Sequence, residues 1–276
     1  MRERVGEIPI WIDEPGILTV FSSGNGDEPR YILQFSDEIA VELRIRERII
    51  IERPLRPGVP RSTCNHFLAD QVLPRILGHN GDLVLHAAAV RIGGDAIVLL
   101  GKSGWGKSTL AASFEQMGFP LLGDDALVVS WDGDMPCVRT VYPSLRLYPD
   151  SIAALFAAGV PTTTIAHYTP KLRVSVPLKE GEECYALPIR ALFALGAPSR
   201  VSELVVKPKS ISKACMALVE NSFVLDPTDT GRATSRLREA SRLAGQVPAF
   251  DLCYPRTYSR LADVRTAIFE AVDRAS

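Results

Sequence analysis

Along this chain the spacing of hydrophobic and polar positions changes several times, and each change marks a different element. Apolar runs at 17–21 and 31–35 flank a polar, turn-prone stretch at 22–29, which predicts two extended segments joined by a turn. Residues 39–51 alternate apolar with charged side chains, as a half-buried strand does when successive side chains point to opposite faces. A proline-rich connection at 54–60 leads to a helical pattern over 62–77 whose apolar face is Phe67, Leu68, Val72 and Ile76. Pro74 predicts a kink in that helix, and its apolar face reads as structural. Residues 1–80 thus read as a small β-rich lobe with a linker helix and no visible chemistry, and 81–276 as a second, catalytic unit.

From residue 83 the apolar density rises. Residues 83–90 predict a strand carrying His86, Gly93 and Gly94 a tight turn, and 95–100 the return strand, so His86 is expected on the neighbour of that return strand. The return strand runs into Gly101, Lys102, Ser103, Gly104, Trp105, Gly106, Lys107, Ser108 and Thr109, which fit the Walker A pattern G-x-x-x-x-G-K-[ST], and 110–114 continue as a helix. In that arrangement backbone N–H groups and the positive end of the helix face a phosphate chain, while the glycines let the backbone curl around it. Lys107 is expected to reach the β and γ phosphates of ATP, and the Ser108 hydroxyl to hold Mg²⁺. Trp105, at the loop crest, has three readings: a cover on the nucleotide, a contact for a partner, or packing on the protein's own surface.

Apolar residues at 119–122 and 126–129 bracket Asp124 and Asp125, placing two like charges in or at the end of an extended segment. Burying such a pair is costly unless a cation or donors compensate it, and a metal-bound triphosphate does so. Because side chains alternate, one carboxylate can hold the metal while the other faces an acceptor hydroxyl. Further on, 131–134 reads as a hairpin turn, and a helix starts at Pro149. Residues 171–178 alternate like a strand with Lys171 and Arg173 on one face, candidate cations for the transferring oxygens. Strands are expected at 191–195, 202–206 and 247–254, and a last helix at 258–275. Ser210 is placed to cap one helix, and Thr228 or Asp229 another that carries Arg232, Arg236, Arg238 and Arg242 as a solvated face.

Composition narrows the function classes. With 31 Lys and Arg against 32 Asp and Glu, the chain lacks the basic excess of a nucleic-acid-binding protein. Cys64, Cys137, Cys184, Cys215 and Cys253 have neither paired nor zinc-ligand spacing, and their odd number suits a reducing compartment. Acidic residues interrupt the start before any signal-like apolar run, and no stretch approaches the roughly 20 apolar residues of a membrane span. A cytoplasmic protein with no nucleic-acid or membrane partner is expected.

The set Leu85, His86 and Ala87, then residues 101–109, then Leu122, Gly123, Asp124 and Asp125 resembles the kinase domain of HPr kinase/phosphorylase and its shorter relatives, including serine kinases of lasso-peptide precursors. The resemblance implies an α/β fold with a P-loop core of the HPr kinase or phosphoenolpyruvate carboxykinase type, a mixed sheet and, here, a small N-terminal β lobe. It implies MgATP-dependent phosphorylation of a protein or peptide serine, with Asp124 as the base, Asp125 as the Mg²⁺ ligand beside Ser108, and His86 near both Asp124 and the γ phosphate. Oligomers are common in that family, so a homo-oligomer is also implied. Where the bifunctional enzymes carry a Glu-Ile-Arg-Gly signature for dephosphorylation, this chain has Ser144, Leu145, Arg146 and Leu147, which keeps the arginine without the acid. The residues themselves leave two other readings open, a small-molecule hydroxyl kinase and a nucleotide-gated regulator without transfer, and an ABC-type ATPase lacks its downstream signature here.

Overall fold

A computed structural model of the chain describes residues 9–13, 16–23, 29–142, 144–175, 186–198 and 201–275. Cys184 and positions 176–178 of the predicted strand lie outside the described residues.

The N-terminal lobe is a five-stranded antiparallel meander: β1 (Pro9–Ile12), β2 (Leu18–Ser23), β3 (Arg30–Phe35), β4 (Ile39–Arg44) and β5 (Ile49–Pro54). The alternating run 39–51 is therefore a hairpin and not one strand. Arg44 pairs with Ile49 across a turn in which Arg48 takes φ 57°, and an even number of turn residues leaves the period-two pattern in phase, so the alternation gives no sign of the break. One face of the meander buries Leu18, Val20, Leu33, Phe35 and Val41 against Phe67 and Val72 of the linker helix.

That helix is α1 (Arg61–Phe67) and α2 (Leu73–His79), joined by a π-helical turn, Leu68–Val72. Pro74 sits in the first turn of α2, where a missing N–H is tolerated, and the wider π turn precedes it in place of a sharp kink.

The remaining strands build a nine-stranded mixed sheet and a small three-stranded one. The large sheet holds β6 (Leu83–Leu85), β7 (Ala87–Ile92), β8 (Asp95–Leu100), β9 (Leu121–Asp124), β10 (Leu127–Asp132) and β11 (Met135–Thr140). The small one begins with β12 (Leu145–Leu147), followed by β13 (Thr162–Thr164) and β14 (Leu172–Val174). The large sheet is completed by β15 (Leu187–Leu195), β16 (Val205–Pro208) and β17 (Ala249–Cys253), with β15 parallel to both β8 and β17. The sheet curls until β9 meets β11: a Cβ on Gly123 would lie 2.5 Å from Thr140 Oγ1, so only glycine fits at this closure.

Alternate residues of the central strands face opposite layers. Ala87, Ala89, Val98 and Leu192 pack with Leu218 of α5 (Ile211–Glu220) and Leu243 of α6 (Thr230–Gln246). Ala88, Ile97, Leu99 and Phe193 pack with Phe114 of α3 (Lys107–Glu115) and Ile268 of α7 (Leu261–Arg274). Burial on both faces is why 96–100 reads as a continuous apolar run and not as an alternation. Ser210 and Asp229 cap α5 and α6. The arginines of α6 are not simply a solvated face: Arg232 donates to the His79 carbonyl, and Arg242 lies 3.6 Å over the Trp131 ring. Among the described residues no helix is long and apolar enough to cross a membrane.

Candidate functional site

Strand β8 delivers the chain to residues 101–106, and α3 starts immediately after them. Gly104 at φ 78° and Gly106 at φ 91° occupy the left-handed region, which a side chain at either position would strain. The turn they make leaves the N-terminal end of α3 facing the cleft, an arrangement that favours an anion. Asn221 fixes the start of the loop, its Oδ1 accepting from Gly101 N at 3.1 Å, while its main-chain carbonyl accepts from His86 N at 2.6 Å. Arg256 fixes the far side by donating to the carbonyls of Trp105, Tyr254 and Gly196 at 2.8–2.9 Å. Trp105 folds back so that its Cε3 lies 3.4 Å from the position of a Cβ on Gly101, which is the third of its readings, packing on the protein's own surface.

Lys107 is buried, and its ammonium donates to the carbonyls of Gly101 at 2.5 Å and Lys102 at 3.3 Å. Burial pushes its pKa down to about 8, against the pull of Asp125 and Asp124. It is thus a charged group whose present partners are weak neutral acceptors, ready to exchange them for an anion.

Opposite the helix start stand the two carboxylates, and their environments differ. Asp124, the last residue of β9, is fully buried; Ser108 Oγ donates to its Oδ1 at 3.0 Å and Arg146 N to its Oδ2 at 3.3 Å. Burial, followed by the like charge of Asp125, pushes its pKa up to about 7. Asp125 leaves the strand at φ 75°, a strained conformation for a non-glycine residue, and turns into the cleft. Burial alone would raise its pKa, but the Arg146 guanidinium outweighs burial and holds it down to about 2. Arg146 grips Asp125 Oδ2 with both Nε and Nη2. Asp125 Oδ1 accepts no hydrogen bond among the described residues and lies 3.9 Å from His86 Nδ1.

His86 occupies a bend between β6 and β7 and not the middle of a strand, because the two halves pair with different neighbours, β6 with β10 and β7 with β8 and β9. Burial and then the charge of Lys107 hold its imidazole below the usual range, so it is neutral near pH 7. Lys171 lines the cleft, its ammonium 5.1 Å over the Tyr148 ring. Arg173 is not among the lining residues: it pairs across β12 and β14 with Arg146, and its Nε is buried without a hydrogen-bond partner among the described residues. Ser103, Gly104 and Thr109 line the same cleft.

Among the described residues no group of three or more His, Cys, Asp or Glu could hold a metal by itself. A nucleotide-bound magnesium ion needs less, one or two protein oxygens besides its phosphates and waters. Ser108 Oγ and Asp124 Oδ1, 3.0 Å apart with the carboxylate poorly compensated, have the donor chemistry for that role. The pairing also differs from the expectation, since the carboxylate joined to Ser108 is Asp124 and the one lining the cleft is Asp125.

Sequence reasoning missed Arg146 as a site residue, together with Asn221 and Arg256. Each acts across a long stretch of chain: Arg146 on Asp125 21 positions away, Asn221 on Gly101 120 positions away and Arg256 on Trp105 151 positions away, so none belongs to a local motif of the site.

No family model matches the chain, and no curated protein matches it. Among solved structures, the HPr(Ser) kinase/phosphatase from Coxiella burnetii is similar at a TM-score of 0.36 and 11% identity, over 70% of this chain and 99% of that one. At that level the likeness assigns no family, and what the cleft can do follows from its own residues.

Proposed function

We propose that the protein is a phosphotransferase that moves the γ phosphate of ATP, with Mg²⁺, to a hydroxyl, the acceptor being a serine of a protein or peptide. The observation that carries this reading is the meeting in one cleft of a strand–glycine loop–helix unit bearing Lys107 and Ser108 with the carboxylate of Asp125, while Asp124 backs Ser108 from beneath the cleft. Loop amides and Lys107 hold the phosphates, and Lys107 offsets charge on the transferring oxygens. Ser108 and Asp124 would hold the magnesium ion, whose charge neutralises the phosphates when bound.

Because Asp125 lines the cleft and its Oδ1 accepts no hydrogen bond among the described residues, the acceptor hydroxyl is assigned to Oδ1, opposite to the assignment implied by family resemblance. The serine oxygen attacks γ phosphorus as the bond to the ADP oxygen breaks, and the serine proton passes to Asp125 Oδ1. Pinning of Oδ2 by Arg146 keeps Asp125 ionised and aimed, while neutral His86 beside it adds no competing charge. Exposed Lys102, Ser103, Gly104 and Tyr148 leave the rim open, which suits a chain segment better than an enclosed metabolite.

The test is incubation of the purified protein with γ-labelled MgATP and a native-cell lysate, with free serine in a parallel reaction. Label on a serine of a protein or peptide, absent with Lys107→Ala, is the expected result. Label only in a small molecule would replace the acceptor class, and tight nucleotide binding without transfer would favour a nucleotide-gated regulator.

A further inference from the structure

The linker helix reads as structural from its sequence, yet it reaches the cleft. Asp70 lies on the π-helical turn of Leu68–Val72, and such turns recur at functional sites. Its side chain is fully buried, and its Oδ2 accepts from Arg146 Nη1 at 2.5 Å. His66 Nδ1 contacts the same oxygen and lies 3.2 Å from Arg146 Nη1. Tyr168 covers this corner, stacked on Phe67 with ring centroids 5.3 Å apart. The guanidinium of Arg146 is therefore spread between two carboxylates, Asp70 from the N-terminal lobe and Asp125 from the cleft.

Stability alone is a poor explanation for this arrangement. Buried ion pairs seldom outperform apolar side chains of similar volume, and Asp70 Oδ1 is buried without a hydrogen-bond partner among the described residues. What the arrangement does provide is a fixed direction. With Nη1 held by Asp70, Arg146 has only Nε and Nη2 to offer Asp125, and both fall on Oδ2.

We infer that Asp70, supported by His66, is a positioning residue: it orients Arg146, which in turn pins Asp125 Oδ2 and leaves Oδ1 directed at the acceptor. The catalytic role of Asp125 in this statement rests on the proposed function, whereas the mechanical coupling of Asp70 to the cleft does not. The N-terminal lobe is then part of the active site's framework, since its linker helix supplies one of the two anchors of Arg146.

Two readouts on the full-length protein separate these layers. The first is the imidazole NMR spectrum without nucleotide, where four histidines give four assignable signals. His86, 3.9 Å from Asp125 Oδ1, reports the position of that carboxylate although it does not touch Asp70. Asp70→Asn should move the His86 signal as well as that of His66 and leave His79 in place. The second is phosphate release from MgATP with water as acceptor. Asp70→Asn should lower the rate at saturating nucleotide by about tenfold or more while the MgATP Kd changes by less than about threefold, a split that general destabilisation does not produce.

A His86 signal unchanged in a folded Asp70→Asn variant would overturn the inference, as would rate and affinity falling together. If that variant does not fold, His66→Gln keeps the Asp70–Arg146 pair and should give a smaller shift of His86 in the same direction; no shift would again overturn it. A parent protein that releases no phosphate would count against the proposed function, leaving the His86 signal to decide the coupling by itself.

Discussion

Asp124 and Asp125 are neighbours in sequence with opposite electrostatic fates, because one ends a strand among buried groups and the other turns out toward Arg146. A hydroxyl donor and a peptide N–H occupy the first, and a guanidinium the second. That division predicts two distinct lesions. Asp125→Asn should leave MgATP affinity within about threefold and lower transfer by about 10²–10⁴-fold, the usual contribution of a positioned acid–base group. Asp124→Asn should lose the magnesium-dependent part of ATP affinity, measured by titration with and without the metal. The reverse pattern would restore the assignment implied by family resemblance. At this scale the loop and the aspartate pair were legible because each is a run of adjacent residues with its own chemistry. Arg146, Asn221 and Asp70 were not, since their partners lie 21, 120 and 76 positions away.

At the scale of elements, the cleft depends on the curl of the large sheet, which brings β9 and its aspartates up to β11 and β12. Gly123 is the point of closest approach, with Thr140 Cβ only 2.6 Å from where its own Cβ would be. Gly123→Ala should destabilise the fold by about 1–3 kcal/mol, the range for overpacking a tight contact, and lower the urea midpoint without changing the slope. A variant as stable as the parent would contradict the closure. Most helices and strands could be read from periodicity and caps, Ser210 and Asp229 among them. Two breaks could not. The turn at 45–48 preserves the alternation of its flanking strands, and the bend at His86 is flanked on both sides by apolar residues with no glycine, proline or polar cluster to mark it, because a change of pairing partner leaves no mark on hydrophobicity.

For the whole molecule, the buried carboxylates make folding pH-dependent, with signs that oppose each other. Asp124 has its folded pKa raised from 3.8 to about 7, so the folded state holds its proton longer. The stability this gives is present below the unfolded value and is lost as pH rises toward 7. Asp125, held down to about 2, contributes stability above 3.8 that is lost on acidification through the folded value. Urea unfolding of Asp124→Asn against the parent should therefore favour the variant more at about pH 8 than at about pH 5. An equal difference at both would mean that Asp124 is not the carboxylate whose ionisation burial opposes.

The proposed phosphate site also predicts ligand-linked stability, since nucleotide at about a hundred times its Kd adds about 2.7 kcal/mol to the folded state. Whether the loop between β8 and α3 holds nucleotide phosphates is decided by isothermal titration of MgATP into the parent and into Lys107→Ala. Saturable one-to-one binding by the parent, weakened at least about tenfold by loss of the lysine charge, is the predicted result. Equal affinity in the two proteins, or no binding by the parent, would contradict it.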